Sequence, residues 1–189
     1  HGSWVFLGQI ITDLDMVADQ PNSKTCGDCE LCITKCPTGA ITAPYTINND
    51  LCISFLTIEL KGIIPRELRP LIGDWVFGCD ICQDVCPVNR DFIKSKESYF
   101  KKRNDFDALE LIPLLYLNEE EFKIKFRDSP IKRTKLEGLK RNVCVALGNL
   151  KDKRAITPLL ETLSDNSFIV RVHAVWAIGT IGLDEIIKA

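Results

Sequence analysis

The sequence predicts an α+β protein in which a cysteine-rich unit precedes a unit of repeated helices. Three observations lead to this prediction. Eight of the nine cysteines lie between Cys26 and Cys86. The last third of the chain repeats an apolar helical pattern after 31 residues. A short apolar run, Trp4–Thr12, comes before both units and is rich in the β-branched and aromatic side chains of a largely buried strand.

The composition restricts the class of protein further. The 189 residues are 46% apolar and 26% charged, which suits one or two globular domains. No apolar run approaches the roughly 20 residues of a membrane-spanning helix, and we expect no secretory signal. The chain begins at His1 and its only methionine is Met16, so we expect part of a longer protein. An odd number of cysteines in CxxC spacing predicts metal or cluster ligation in a reducing cytoplasm.

The first cysteine motif has the spacing of a bacterial ferredoxin. Cys26, Cys29, Cys32 and Cys36 follow the pattern C-x2-C-x2-C-x3-C, and Pro37 comes directly after them. This pattern holds a 4Fe–4S cluster, and in two-cluster ferredoxins the fourth cysteine binds the other cluster. The motif therefore predicts a ferredoxin-like domain that contains two clusters.

The second motif consists of Cys79, Cys82 and Cys86, with Pro87 directly after them. It matches the last three cysteine positions of the same pattern. Val76 occupies its first position, and Cys52 is the one cysteine of this region outside both motifs. If the usual crossover holds, the first cluster takes Cys26, Cys29, Cys32 and Cys86, and the second takes Cys36, Cys52, Cys79 and Cys82. Zinc is the alternative, because C-x2-C pairs also bind zinc, but zinc does not explain the proline after both motifs.

The second half of the chain has the signals of capped helices. Asn118 and Glu121 are spaced as a capping box, and Phe122 and Phe126 then share one helical face. Helical apolar spacing follows over residues 138–150, 155–163 and 168–181. The joins between these predicted helices contain Asp152 and the run 165–167 (Asp-Asn-Ser), which suit helix caps.

These helices repeat with a fixed period. Residues 146–148 (Ala-Leu-Gly) return as residues 177–179 (Ala-Ile-Gly), and the stretch 155–179 resembles a HEAT-type repeat. Cys144 lies on the apolar face of one repeat helix and is predicted to be a small buried hydrophobe. His173 is predicted to be a packed or surface residue, not a ligand.

The near-neutral total charge of −2 hides a basic C-terminal third. Residues 123–189 contain 13 basic and 7 acidic side chains, and eight of the basic ones lie between Lys123 and Arg141. Such a run is either a solvated face or a surface that binds the phosphates of a nucleic acid. The charge pattern alone leaves both interpretations open.

Four stretches of the chain resemble the epoxyqueuosine reductase family. They are GSWVFLGQIITDL, CISFLTIELKG, IGDWVFGCDICQDVCPVNR and SPIKRTKLEGLKRNVCVALGN, and the resemblance covers nearly all of the chain. It implies a cobalamin-dependent iron–sulfur enzyme that reduces epoxyqueuosine in tRNA to queuosine. It also implies that most of a cobalamin-binding α/β domain, with the proton donor, is absent here, so that no catalytic residue is assigned.

The resemblance and the motifs together predict four segments. Residues 1–20 would end the cobalamin-binding domain, with Trp4–Thr12 as its final strand. Residues 21–92 would form the double-cluster domain, residues 93–127 a helical connector, and residues 128–189 a HEAT-like repeat that faces the tRNA.

The resemblance also implies contact residues for two ligands. We expect cobalamin to contact Ser54, Cys79, Asp80, Leu7 and Ile10, although Ser54 could equally cap a helix, and Leu7 and Ile10 could equally pack in a core. We expect Trp75 and Phe77 to shield the second cluster from water, and stacking on a base is the alternative. The residues expected to bind tRNA are Lys61, Lys132, Arg133, Lys135, Lys140 and Arg141.

The expected partners are a tRNA anticodon region that carries epoxyqueuosine and an external low-potential electron donor. We expect a monomer that does not bind a membrane. Two alternatives remain open, a corrinoid reductive dehalogenase-like protein and a stand-alone two-cluster electron-transfer module. The basic helical repeat argues against both, because neither function needs it.

Overall fold

The computed structural model describes residues 2–21, 25–90, 95–97 and 110–182. These ranges are mainly helical and contain one two-stranded sheet, so the β content is small for an α+β protein. No helix within them is both long and apolar enough to cross a membrane. The predicted connector 93–127 and the end of the predicted segment 128–189 lie partly outside the described residues.

Residues 25–90, which we call the cysteine-rich unit, form short elements. These are α1 (Leu31–Lys35), β1 (Ile41–Ala43), β2 (Thr46–Ile47), α2 (Ile53–Ile58), α3 (Arg69–Ile72) and α4 (Ile81–Asp84). The two strands are antiparallel, with Ile41 opposite Ile47 and Ala43 opposite Thr46. Within the stretch between the two cysteine motifs, residues 53–58 form α2 directly after Cys52. A small apolar core stabilises the unit and consists of Ile53, Leu56, Ile64, Leu68 and Ile72, together with Val145 from the second half of the chain.

Residues 110–182, which we call the helical unit, contain the longer helices. These are α5 (Glu119–Lys125), α6 (Lys135–Leu150), α7 (Ile156–Thr162) and α8 (Phe168–Ile181). The predicted capping box is confirmed, because the Asn118 side chain accepts from the Glu121 N–H and the Glu121 side chain accepts from the Asn118 N–H. Asp152 caps a 3₁₀ turn, and Ser167 caps α8. The three predicted repeat helices are therefore present in α6, α7 and α8.

The repeat brings α6 and α8 close together at a glycine. A Cβ atom on Gly148 would lie 2.8 Å from Cζ3 of Trp176 and 3.0 Å from Cα of Ala177. Only hydrogen fits at this point, which explains a glycine in the interior of a long helix despite its cost in conformational entropy. Gly179, at the same position of the second copy, has no atom within 4 Å of such a Cβ.

The apolar run Trp4–Thr12 is not a strand, and this prediction was wrong. The segment has no regular structure, and its apolar side chains are exposed, with Leu7 at 95% and Ile10 at 92%. A strand is stabilised by hydrogen bonds to a neighbouring strand, and the only sheet of the described residues consists of β1 and β2. The segment is instead anchored at Ser3, whose N–H donates to Oδ1 of Asn89 at 2.7 Å.

Candidate iron–sulfur centres and basic surface

Four cysteines from both motifs line one cavity of about 360 Å³, which we call cavity one. They are Cys26, Cys29, Cys32 and Cys86, the set that the crossover predicts for the first cluster. Cys26 and Cys29 are exposed, so this cavity is open on the side of the first motif. The apolar part of its wall is Leu31, Ile33, Ile41, Pro44 and Ile47, and Cys82 also reaches it.

The other four cysteines line a second and smaller cavity of about 40 Å³, which we call cavity two. They are Cys36, Cys52, Cys79 and Cys82, the set that the crossover predicts for the second cluster. All four are half-buried, and Ile41, Ile47, Ile53 and Ile81 complete the wall. Ile41 and Ile47 line both cavities, so the hairpin of β1 and β2 lies between them.

Local backbone structure positions the cysteines. Gly27 and Gly78 have φ angles of +55° and +75° and lie next to Cys26 and Cys79. This left-handed conformation favours glycine and turns the chain sharply at a ligand. The Cys79 N–H donates to Oγ of Ser54 at 3.1 Å, and this hydrogen bond fixes the position of the Cys79 backbone directly after the turn at Gly78.

The thiols of cavity two differ in their electrostatic environment. Burial raises the pKa of Cys79 and of Cys82, and neighbouring cysteines raise both further. Burial alone would also raise the pKa of Cys36. Hydrogen bonds from the Thr38 side chain and from backbone N–H groups outweigh burial and lower the pKa of Cys36, and one of them joins the Ala40 N–H to the sulfur at 3.3 Å.

The donor set of each cavity fits an iron–sulfur cluster. All eight cysteines are free thiols, and four thiolates are the usual ligands of a 4Fe–4S cluster. Among the described residues, no three His, Cys, Asp or Glu side chains converge on a position that one metal ion could occupy. The thiols thus surround cavities instead of meeting at a point.

The residues expected at cobalamin do not line one cavity. Cys79 lines cavity two, but neither cysteine-lined cavity includes Ser54, Asp80, Leu7 or Ile10. Ser54 accepts a hydrogen bond from the Cys79 N–H, a contact between α2 and the loop before α4, and it caps neither helix. Asp80 is exposed as a residue, but its carboxylate has lost part of its hydration, and this loss, together with the smaller effect of the Asp84 charge, raises its pKa. The alternative for Leu7 and Ile10, packing in a core, is wrong for this structure, because both are exposed.

Four of the six residues expected at tRNA form an exposed basic surface. They are Lys61, Lys132, Arg133 and Lys135. Nζ of Lys61 donates to the backbone oxygen of Arg133 at 3.0 Å, which joins the cysteine-rich unit to the turn before α6. Arg133 also pairs with Glu59. Basic side chains from both units therefore share one surface, which we call the basic surface.

Arg141 does not belong to that surface, and the prediction that it binds tRNA was wrong. Its side chain is buried and donates to the backbone oxygens of Leu56, Leu60 and Gly62 at 2.7–2.8 Å. Burial lowers its pKa to about 10. A guanidinium with several donors in a fixed fork suits such a cluster of carbonyls, so Arg141 joins the two units.

Lys140 is also largely withdrawn from solvent. Its Nζ lies 3.0 Å from Oδ2 of Asp165, and only 12% of its side chain is exposed. A lysine that is buried against its carboxylate partner is a poor site for phosphate, whereas Arg133 keeps 61% of its side chain exposed beside Glu59. The physical reason for both outcomes is the direction that each side chain faces, because Lys140 faces Asp165 before α8 and Arg141 faces the carbonyls of residues 56–62.

Sequence reasoning missed the polar residues that connect the units. Nδ2 of Asn142 donates to the backbone oxygens of Thr57 and Val76 at 2.7 and 2.8 Å. Nδ2 of Asn149 donates in the same way to Arg69 and Gly73. The sequence did contain one signal, because Arg141 and Asn142 interrupt an otherwise apolar helix face. Polar side chains that are buried on such a face require hydrogen-bond partners.

Two other predictions are confirmed. Cys144 is fully buried in the core of the helical unit, and burial raises its pKa to about 12. His173 is packed, since its Nε2 accepts from the Ile64 N–H at 3.2 Å and its Nδ1 lies 2.7 Å from the Ile169 oxygen. Trp75 packs against the core of the cysteine-rich unit, and its predicted role at the second cluster stays a prediction.

The fold and its two cysteine-lined cavities define a double-cluster iron–sulfur class of protein with an attached helical repeat. Residues 25–89 match the family model of the 4Fe-4S double cluster binding domain. Residues 141–165 match the family model of the PBS lyase HEAT-like repeat. Both matches coincide with the units described above, one with the cysteine-rich unit and one with α6 and α7.

Similar proteins are more specific, because they are epoxyqueuosine reductases. The chain is 44% identical to that of Escherichia coli strain K12 over 177 residues, which is 94% of this chain and 47% of the relative. It is 42% identical to that of Xanthomonas campestris over 183 residues, which is 96% of this chain and 52% of the relative. The chain thus spans about half the length of the curated relatives it matches.

Solved structures agree with this similarity. Epoxyqueuosine reductase from Bacillus subtilis is 36% identical with a TM-score of 0.84, over 92% of this chain and 48% of that one. A crystal structure of epoxyqueuosine reductase with an epoxyqueuosine-modified tRNA-Tyr stem loop is 36% identical with a TM-score of 0.82, over 90% and 46%. The resemblance stated from the sequence is confirmed, and the chain is similar in sequence and fold to about half the length of these epoxyqueuosine reductases.

Proposed function

We propose that this chain holds two 4Fe–4S clusters and supplies the electron relay of a tRNA epoxyqueuosine reductase. Cluster one would bind to Cys26, Cys29, Cys32 and Cys86 in cavity one, and cluster two to Cys36, Cys52, Cys79 and Cys82 in cavity two. The observation that carries the proposal is that each predicted set of four cysteines, drawn from interleaved positions, lines one cavity, with Cys82 reaching both. The double-cluster family match over residues 25–89 supports it.

The reaction proposed for the whole protein is reduction of epoxyqueuosine in tRNA to queuosine. It rests on the similarity to epoxyqueuosine reductases over 94% of this chain. The reduction takes two electrons, and iron–sulfur clusters pass electrons one at a time. This chain would hold the relay and part of the tRNA surface, and we assign no catalytic acid within it.

Cobalamin is the further cofactor that we propose, and it would supply the metal centre that reacts with the epoxide. Ser54 and Asp80 flank Cys79 from α2 and from the start of α4, so a corrin on that side would lie beside cluster two. Leu7 and Ile10 are exposed and available for apolar contact. On this proposal, residues 1–20 lie against the cofactor, and residues 21–92 contain the clusters.

The basic surface is our proposed docking site for the tRNA anticodon region. Lys61, Lys132, Arg133 and Lys135 are exposed, and phosphates bind most strongly where several such cations are close together. On this proposal the connector 93–127 leads into residues 128–189, which face the tRNA. We also propose that the protein works as a cytoplasmic monomer with an external low-potential electron donor.

Metal analysis of the anaerobically purified full chain tests the relay. We expect about eight iron and eight sulfide per chain and two 4Fe–4S signals in EPR of the reduced protein. Cys52→Ala is expected to remove or alter one of those signals and leave the other. Zinc in place of iron, or a single cluster, would contradict the proposal. Added cobalamin that remains bound after gel filtration would support the corrin contact.

Binding of an epoxyqueuosine-containing anticodon stem loop at several salt concentrations tests the basic surface. Each alanine substitution at Lys61, Lys132 or Lys135 is expected to weaken binding and reduce the salt slope by about one phosphate contact. Lys123→Ala, at an exposed lysine of α5, is the matched control and should leave the slope unchanged. Two clusters without any tRNA affinity would instead favour a stand-alone electron-transfer module.

A further inference from the structure

We infer that Asn142 is a positioning residue for cluster two, through which the helical unit holds the loop that carries Cys79. This inference rests on the proposed function, because it requires cluster two to bind at cavity two. It assigns the helical unit a second role besides a surface for tRNA. No sequence motif indicates this role, since Asn142 is more than 50 residues from the nearest cysteine of the two clusters.

The Asn142 side chain uses all of its hydrogen-bonding capacity between the two units. It is 1% exposed. Its Nδ2 donates to the backbone oxygens of Thr57 and Val76, while its Oδ1 accepts from Nε and Nη2 of Arg141 at 3.0 and 2.9 Å. Carbonyls can only accept and a guanidinium can only donate, so the orientation of the amide is fixed. Such a group holds its partners in one arrangement.

Both carbonyls that Asn142 contacts belong to segments that position Cys79. Val76 is three residues before Cys79 in the ligand loop. Thr57 lies on α2, and its Oγ1 accepts from the Gly78 N–H at 3.0 Å and donates to the Ile53 oxygen at 2.7 Å. One turn earlier on α2, Ser54 accepts from the Cys79 N–H. The Asn142 amide therefore joins the loop that carries Cys79 to α2, the helix whose Ser54 and Thr57 accept hydrogen bonds from that loop.

The same helix is connected to a second ligand of cluster two. Cys52 is the residue directly before α2, and its backbone oxygen accepts from the Leu56 N–H at 2.9 Å. A movement of α2 would therefore move Cys52 and Cys79 relative to each other. Cluster potentials depend on hydrogen bonds near the sulfurs and on solvent exposure, and both change with such a movement. None of the residues that connect Asn142 through α2 to Cys52 and Cys79 lines cavity one.

Asn149 provides a matched comparison on the same helix. It lies seven residues after Asn142, hence two turns along on the same face of α6. Its Nδ2 also donates to two carbonyls of the cysteine-rich unit, those of Arg69 and Gly73, at 2.8 and 2.7 Å. These carbonyls flank α3, which contributes no cysteine. Loss of either amide removes the same kind of contact, but only Asn142 is connected to a ligand loop.

The test is an EPR-monitored redox titration of the full chain with both clusters, performed on the wild type, Asn142→Ala, Asn149→Ala and Thr57→Val. The Cys52→Ala variant identifies which signal belongs to cluster two. We expect Asn142→Ala and Thr57→Val to shift the midpoint potential of cluster two or broaden its signal, with cluster one unchanged. We expect Asn149→Ala to lower the thermal unfolding temperature while both signals stay as in the wild type.

Three results would overturn the inference. In the first, Asn142→Ala destabilises the chain as Asn149→Ala does but leaves cluster two unchanged. In the second, both clusters shift equally, which would indicate general loosening. The third result applies if Asn142→Ala does not fold. In that case Thr57→Val tests the inference, and an unchanged EPR signal and midpoint potential of cluster two in this variant would overturn it. A wild-type chain without two clusters would show instead that the proposed function itself is wrong, and this inference with it.

Discussion

The cysteine-rich unit and the helical unit are stabilised in different ways. The helical unit contains helices of 16 and 14 residues that pack around a continuous apolar core. The helices of the cysteine-rich unit have four to six residues, its strands have two and three, and one of its six core residues, Val145, comes from α6. Helices this short are not stable by themselves.

The difference indicates what each unit needs in order to fold. The helical unit has a continuous apolar core of its own. The cysteine-rich unit also depends on external support, which comes from the proposed clusters and from polar side chains of α6 and α8 at the junction, namely Arg141, Asn142, Asn149 and His173. Four predictions test this comparison, in order of decreasing expected effect.

Removal of iron is expected to have the largest effect and to act on one unit. Chelation should lower the protection of α1, α2 and α4 amides against hydrogen exchange by at least about 100-fold, because metal binding contributes folding free energy in small metal domains. Protection in the centre of α6 should remain. Hydrogen exchange with mass spectrometry measures both in one sample, and equal loss in the two units would contradict the comparison.

Arg141→Met should destabilise the chain by about 3–5 kcal/mol, since it leaves the buried carbonyls of Leu56, Leu60 and Gly62 without their donor. Urea unfolding measures this change. Arg127→Met, at an exposed arginine, is the control and should change the free energy of unfolding by less than about 0.5 kcal/mol. A loss below about 1 kcal/mol at Arg141 would show that the units do not depend on this contact.

Acid should weaken the same junction through His173. Burial, with the nearby charges of Arg69 and Arg141, lowers the pKa of His173 from 6.5 to about 4. The unfolded chain therefore binds a proton that the folded chain does not. Stability from this residue is complete above pH 6.5 and falls as the pH drops from 6.5 to 4, by on the order of 3 kcal/mol.

Urea unfolding at several pH values measures this loss, with His173→Gln as the comparison because carboxylates also titrate in acid. The difference between the two proteins should grow in favour of His173→Gln as the pH falls through that window. Parallel pH profiles of the wild type and the variant would contradict the prediction.

The smallest expected effect is confined to the helical unit. Gly148→Ala should cost about 1–3 kcal/mol, because its Cβ would lie 2.8 Å from Trp176 and α6 would have to move away from α8. Gly179→Ala is a matched control with open space at its Cβ and should stabilise α8 by up to about 1 kcal/mol. Thermal unfolding distinguishes them, and effects of the same sign would contradict the packing described here.

Much of the fold was predictable because its signals are local. Cysteine spacing indicated which thiols share a cavity, and caps such as Asn118 and Ser167 marked the starts of α5 and α8. The strand predicted at Trp4–Thr12 failed because apolar composition does not supply a neighbouring strand. Local composition describes a segment, whereas a sheet depends on a partner.

The basic residues illustrate the same limit within the candidate site. Lys135 and Arg141 belong to one charged run, yet the first is exposed and the second is buried against three carbonyls of the other unit. Which of these basic side chains is buried depends on how α6 packs against residues 56–62. That information is in the tertiary contacts and not in the charge pattern.

The crossed arrangement of the cysteines has a topological consequence. In the proposed ligand sets, cluster one ties Cys32 to Cys86, and cluster two ties Cys36 to Cys79, so each acts as a cross-link around nearly the same stretch of chain. A cross-link stabilises by removing conformations from the unfolded ensemble, and most of that restriction is achieved by the first one to form. Assembly of either cluster would therefore bring the ligands of the other together in advance, and loading would be cooperative.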